Sequence, residues 1–447
     1  MPFIRFSRTP FGRSPISPSN LTLLLGTLLL AVSGAAQPEP HSTPQSAAMA
    51  EHVGKPAPLH DLVQEAEQGN PQIAASYHGW QASRNVAMQV SASPETQVSI
   101  QQFNVGSPRP FAGYSNSEFA YIGFGALQDI PYPGKRQLRG RVAEHEADSM
   151  EAQSESVHKA VVGNLQMAYF RLAYIQQTFG ILQKSDELLN QVEQAAEARY
   201  RVGQGNQQDV LKAQLQHTKL LQEIAHHHQE EGLLEAQLKQ LLGRPQESPD
   251  IVAEILTVRV LPFTATELLQ RALEQNSDVH LRKASIQQQQ TQVELAHKNF
   301  RPDFNVQYTY QHTASQFRDY YMATFGIRLP NRGRQRAELA EALENQERAR
   351  RELDGESQRV LSEVQQQYVR AKTTEEQLKI YSEGLVPQSE ATFRSALTAY
   401  QSNKQDFESV LPAFLDVLNL DLEYRSEFVE HESALAELER LTGVDVP

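Results

Sequence analysis

The chain has 447 residues, with 54 acids against 41 lysines and arginines, and it contains no cysteine. A net charge of −13 speaks against a nucleic-acid partner. The lack of cysteine excludes a disulfide framework, a thiolate metal site, a cysteine nucleophile and a lipid anchor carried on an N-terminal cysteine.

Residues 1–36 read as a cleavable export signal: Arg5, Arg8 and Arg13 make a basic start, 21–32 are apolar, and Ser33, Gly34, Ala35 and Ala36 supply a small-residue cleavage site. The apolar run is too short to span a bilayer comfortably. An uncleaved anchor is the other reading. Removing three arginines and no acid would take the formal charge to −16. Beyond an N-terminal extension over 37–57, no segment approaches the roughly 18 consecutive apolar residues of a membrane helix. An exported chain of this kind meets a membrane through β-strands.

The two halves repeat at an offset near 200. Leu238, Leu241 and Gly243 recur as Leu438, Leu441 and Gly443, and Tyr200, Val210 and Leu211 as Tyr400, Val410 and Leu411. Val162, Leu165, Tyr169, Leu172 and Phe179 answer to Leu361, Val364, Tyr368, Ala371 and Leu378, with the same spacing of a heptad-like seam. The segment LVQEAEQGNP, ending at Pro71, resembles LLQRALEQNS, ending at Ser277.

Each repeat is predicted as a helix, two strands and a long helical hairpin. The first spans 58–245, with strands about 95–104 and 118–128 and a hairpin tip about 200–209. A connector covers 246–264. The second spans 265–447, with strands about 303–312 and 319–329 and a tip about 400–409. In it, 334–400 is rich in Ala, Glu, Gln, Arg and Leu and carries only Gly355, Gly384 and Pro387 as breakers, on the order of 100 Å of helix. Pro387 with Gly384 is expected to bend it. Helices over 207–242 and 265–298, roughly 35 residues each, would stack to the same length.

The strands alternate with period two. Phe304, Val306, Tyr308 and Tyr310 face away from Asn305, Gln307, Thr309 and Gln311; Tyr321, Ala323, Phe325, Ile327 and Leu329 oppose Met322, Thr324, Gly326 and Arg328. Ten-residue strands with one aromatic-rich and one polar face fit a transmembrane barrel with a wet lumen. Four strands cannot close one, and open edges are not tolerated in lipid, so strands must be pooled between subunits: three copies would give twelve and two would give the roughly eight a small barrel needs.

The two-repeat plan, the Leu-x-x-Leu-x-Gly helix ends, Pro133, Gly134 and Lys135 after a strand, and the paired tyrosine-containing turns together resemble the TolC family of outer-membrane efflux factors, over roughly 58–445. The resemblance implies a mainly α protein with a small β part: a homotrimer with a twelve-stranded barrel in the lipid of a Gram-negative outer membrane, continued by a helical tunnel through the periplasm. It implies a passive export conduit rather than an enzyme, without cofactors, partnered by a periplasmic adaptor (membrane fusion) protein and an inner-membrane pump. Pro131, Tyr132, Pro133, Gly134 and Lys135 resemble the junction in members serving heavy-metal pumps of the resistance-nodulation-division class. The hairpin turns would form the periplasmic tip and gate. The positions are Tyr200, Gly203 and Asp209 in the first turn, with Tyr400, Asn403, Gln405 and Ser409 in the second. Asn403 stands where glycine is usual, Gln405 where a gating arginine sits and Ser409 where an aspartate sits, which puts a salt-bridged gate in question.

The competing reading is a periplasmic coiled-coil adaptor, which has one hairpin rather than two. His226, His227 and His228 invite a metal reading, but consecutive helical residues point about 100° apart, and a solvated helix face is the simpler expectation. His145-Glu146 and His431-Glu432 lack the second histidine of a zinc-protease helix, and no Gly-x-Ser-x-Gly elbow is present.

Overall fold

The computed structural model describes residues 56–104, 120–313 and 318–446. The export segment 1–36, most of the 37–57 extension and residues 118–119 of an expected strand lie outside these. The first repeat comprises α1 (Leu59–Gly69), α2 (Pro71–Ser91), β1 (Gln97–Phe103), β2 (Tyr121–Ile130), α3 (Lys135–Arg201) and α4 (Gln207–Leu242). The second comprises α5 (Ala265–Gln275), α6 (Ser277–Lys298), β3 (Asp303–Thr313), β4 (Asp319–Arg328), α7 (Arg332–Ile380), α8 (Val386–Gln401) and α9 (Phe407–Thr442).

The seam read from the sequence is the core. Leu62, Ala66, Leu165, Tyr169, Leu172, Leu238 and Leu242 cluster in the first repeat. Leu268, Ala272, Val364, Ala371, Leu438 and Leu441 form the corresponding cluster in the second. One chain thus writes the same packing twice. The connector crosses between the repeats and is tied down by polar groups. The Gln176 amide donates to Ile251 O at 2.8 Å and accepts from Ala253 N at 2.9 Å, and Arg259 pairs with Glu432 at 2.7 Å and Glu439 at 2.8 Å.

The expected single helix over 265–298 is divided at Asn276, and its counterpart is divided at Asn70. Both asparagines are nearly fully buried. Asn70 Oδ1 accepts from Gln72 N and Ile73 N at 2.8 and 3.2 Å, capping α2, while its Nδ2 donates to Leu241 O at 2.8 Å at the end of α4. Asn276 does the same between α6 and α9, accepting from Asp278 N and Val279 N and donating to Leu441 O at 3.1 Å. A free helix start lacks acceptors for its amides and a free helix end lacks donors for its carbonyls; one carboxamide supplies both. Gly243 lets the two ends approach: its φ is +71°, and a Cβ there would lie 2.4 Å from Gly69 O.

The helical stack is therefore α4 end to end with α2, 36 residues on 21, and α9 with α6, 36 on 22, or about 85 Å each. The short helices α1 and α5 bracket the joints from the side. α3, with 67 residues, spans the same run unbroken, as α7 and α8 do through a π-helical turn at Tyr381–Leu385. Gly384 lies in that turn and Pro387 in the first turn of α8, so the widened turn falls where proline cannot donate its backbone hydrogen bond. No helix among the described residues is long and apolar enough to cross a membrane.

The four strands form one antiparallel sheet in the order β1-β2-β3-β4. Ile100 pairs with Phe124, Phe124 with Tyr310, and Tyr310 with Tyr321. Since paired residues share a face, this register joins the apolar sides of all four strands into one band, broken at Gln128: Val98 and Ile100, then Ile122, Phe124, Ala126 and Ile130, then Phe304, Val306 and Tyr308, then Ala323, Phe325 and Ile327. Val98, Ile100 and Phe325 are 73%, 74% and 78% exposed. The opposite face carries Gln97, Ser99, Gln101, Asn305, Gln307, Thr309 and Thr324.

Replacing Asn276 with alanine removes both the cap and the donor to Leu441. We expect destabilisation of about 2 kcal/mol per chain, read as a fall in the denaturation midpoint, with Asn276→Asp recovering part of it because the acceptor survives. A midpoint unchanged by Asn276→Ala would show that the splice carries no stability.

Candidate functional site

The two hairpin turns are copies of one another. In the first, Val202, Gly203 and Gln204 donate backbone bonds to Ala198, Tyr200 and Arg199, at 3.3, 3.0 and 2.9 Å. In the second, Ser402, Asn403 and Lys404 donate to Thr398, Tyr400 and Ala399, at 3.1, 3.1 and 2.8 Å. The left-handed position is Gly203 at φ +73° and Asn403 at φ +57°. Asparagine is among the few side chains that tolerate this region. Ser409 is turned back on its own loop: its hydroxyl donates to Asp406 O at 2.7 Å and lies 3.2 Å from Gln405 Oε1.

Although the backbones match, the side chains do not. Tyr400 is 1% exposed, packed edge-on against Phe407 with ring centroids 5.8 Å apart, whereas Tyr200 is 48% exposed. The Tyr400 hydroxyl reaches Asp209 Oδ2 at 3.5 Å, at the outer limit of a hydrogen bond. Burial pushes the Tyr400 phenol above its ordinary pKa, and the nearby Asp209 carboxylate adds to the rise. The phenol therefore stays a neutral donor.

Arg199 joins the two tips. Its guanidinium lies 4.3 Å from the centre of the Tyr400 ring. It donates to Tyr400 O at 2.7 Å, to Asn403 Oδ1 at 2.5 Å and to Gln204 O at 3.0 Å. Lys212 forms an ion pair with Glu408 beside it. Expected gate positions Tyr400 and Asn403 are thus brought to one cation, Asp209 is linked to it only through the Tyr400 hydroxyl, Gln405 offers its backbone oxygen to the same group at 3.4 Å, and Tyr200 and Ser409 stand apart from it. Sequence reading did not single out Arg199. The available signal was a break in the repeat, arginine at 199 against alanine at 399.

The histidine run is not a solvated face throughout. His226 and His228 are exposed, but His227 is 6% exposed, set edge-on to Tyr174 at 6.5 Å and between Glu223 and Glu230. His228 stacks on Phe179 at 4.4 Å. The apolar ring faces of two histidines are used as packing surface.

The family model for outer membrane efflux proteins matches residues 62–244 and 268–424, one match per repeat with the connector left between them. The chain belongs to the outer membrane efflux protein family. Solved channels share the fold of this family member. CusC, described in work on transmembrane channel formation, superposes with a TM-score of 0.75 at 16% identity, covering 90% of this chain and 97% of that one. The outer membrane protein VceC of Vibrio cholerae gives 0.73 at 19%, covering 87% and 97%. The MtrE outer membrane channel of Neisseria gonorrhoeae, in its open state, gives 0.72 at 16%, covering 86% and 88%. No curated protein sequence matches. This efflux protein resides in the outer membrane and reaches into the periplasm, and it acts in export; two hairpins per chain separate it from an adaptor.

Asn403→Gly should leave the second turn intact, whereas Asn403→Ala puts a Cβ-bearing side chain without a local hydrogen bond in the left-handed region, at a cost of about 1 kcal/mol. Limited proteolysis across 401–406 checks this. Cleavage that is equally slow in both variants would mean that the turn does not depend on that residue's conformational tolerance.

Proposed function

We propose that three copies of this efflux protein close a twelve-stranded barrel, continued by a helical tunnel, and that the assembly is a passive conduit which performs no chemistry. The observation that supports this most is the sheet. Its apolar face runs across all four strands and is bare, while β1 and β4 each have a partner on only one side among the described residues. Open edges are not tolerated in lipid, and small membrane barrels need at least about eight strands. Strands of about ten residues, tilted by roughly 40°, cover about 25 Å of apolar thickness. The helices obey the same logic: Leu211, Leu215 and Leu233 on α4 and Val369 and Ile380 on α7 are exposed apolar residues on the helices that flank the layer.

In this reading residues 1–36 direct export and are removed. The tip around Asp209 and Tyr400 gates the tunnel, held shut within each chain by the Arg199 bonds rather than by a salt bridge from position 405. The tips meet a periplasmic adaptor protein, and an inner-membrane pump, of the resistance-nodulation-division class, supplies the directionality. The Pro-Tyr-Pro-Gly-Lys junction at 131–135 favours heavy-metal cations as cargo, handled as substrate and not held as a cofactor.

Light scattering on the detergent-purified mature protein should give the mass of three chains, and planar-bilayer recordings should show channels whose resting conductance rises severalfold in Asp209→Ala, Tyr400→Ala and Arg199→Ala. A soluble monomer would remove the barrel. Conductance unchanged in all three variants would remove the gate while leaving the channel.

A further inference from the structure

Around the base of the sheet, where strands give way to helices, the charge runs against the acidic balance of the chain. Arg139, Arg301, Arg332, Arg334 and Arg336 are exposed and Lys298 is partly so, and none of the six makes a salt bridge among the described residues. Three of the acids close by are already paired with other cations: Asp129 with Arg328 at 3.4 Å, Asp303 with Lys135 at 2.9 Å and Glu294 with Arg141 at 3.0 Å. Glu338, which accepts from Asn299 at 2.7 Å, and Glu95 keep their charge, and the six cations outnumber them. What remains is a surplus of cations in a protein of net charge −13.

Its position relative to the apolar band gives this surplus a meaning. The last apolar row is Ile130, Phe304 and Ile327, with Leu329 just beyond β4 and 77% exposed. Arg301 lies three positions before Phe304 and Arg332 three positions after Leu329, which keeps both within about 10 Å of the hydrocarbon edge. Arg332 and Arg336 are one turn apart on the same face of α7. Two concavities open at this level. One of about 440 Å³ is lined by Ser93, Gln128, Tyr132 and Arg136, and one of about 590 Å³ by Gln137, Arg141, Glu294, His297 and Lys298. Guanidinium groups bind phosphate oxygens two at a time, and long cationic side chains below an apolar surface reach naturally to headgroup depth.

We propose that this collar binds the phosphate groups of anionic phospholipids in the periplasmic leaflet of the outer membrane, fixing the depth at which the barrel sits. The proposal rests on the reading of the sheet as a membrane barrel. Its cations are distinct from the gate residues, so charge can be removed there without touching the tip.

The test uses the full mature chain reconstituted into vesicles of phosphatidylcholine containing a minor share of phosphatidylglycerol, followed by re-extraction and mass spectrometry of the lipid retained. The wild type should retain phosphatidylglycerol over phosphatidylcholine, with a preference of about fivefold for each engaged charge. Arg301→Gln/Arg332→Gln/Arg336→Gln should lose that preference while still inserting as the same oligomer, and the triple lysine variant should keep most of it. Insertion of the wild type without any lipid preference would overturn the collar and leave the barrel standing, as would a preference unchanged in the glutamine variant. Loss of the bound lipid to excess inorganic phosphate would make the collar a free-anion site and also overturn the proposal. Failure of the wild type to insert into any vesicle would instead defeat the barrel reading itself.

Discussion

The architecture depends on a pair of buried carboxamides. Asn70 and Asn276 each stand between two helix ends that would otherwise leave amides and carbonyls without partners. By serving as acceptor to one end and donor to the other, each turns a 36-residue helix and a helix of about 21 into a rod that matches the unbroken helix beside it. Packing along α3 fixes the axes of α2 and α6, and the splice closes the helix ends that this alignment brings together. The sheet at one end and the hairpin turns at the other are held in register through these joints.

Much of this was legible in the chain, because the interactions involved are local or periodic. Alternation in 303–329 gives the strand faces directly, and the seam from Leu165 to Leu172 and from Val364 to Ala371 falls on the observed cores. The joint at Asn276 was hidden by good helix formers on both sides; 265–298 reads as one helix until the partner carbonyl of Leu441, 165 positions away, is considered. The alignment of LVQEAEQGNP with LLQRALEQNS already held both asparagines, but a repeated asparagine looks like any repeated residue until its two roles are seen together.

The tip was less legible for a related reason. Turn geometry is encoded locally, and an asparagine at position 403 in the left-handed conformation follows from its neighbours. What Arg199 does is not local: it crosses from one hairpin to the other, about 200 residues away in sequence, and its counterpart Ala399 can make no such contact. His227 shows the same limit. Three adjacent histidines carry no sign of which one the fold will bury.

The pairing of β2 with β3 joins the two repeats through the same kind of antiparallel seam that would join β4 of one chain to β1 of the next. The proposed ring of three chains has the strand plan of six equivalent half-chains. The Arg199 bridge departs from that equivalence. It exists only where the first hairpin meets the second within a chain, so it can occupy every other position around the tip and no more. Two unequal halves in one polypeptide thus give the proposed ring something that six identical hairpins could not have: two kinds of contact in alternation, one of which can be strengthened or released by mutation without disturbing the other.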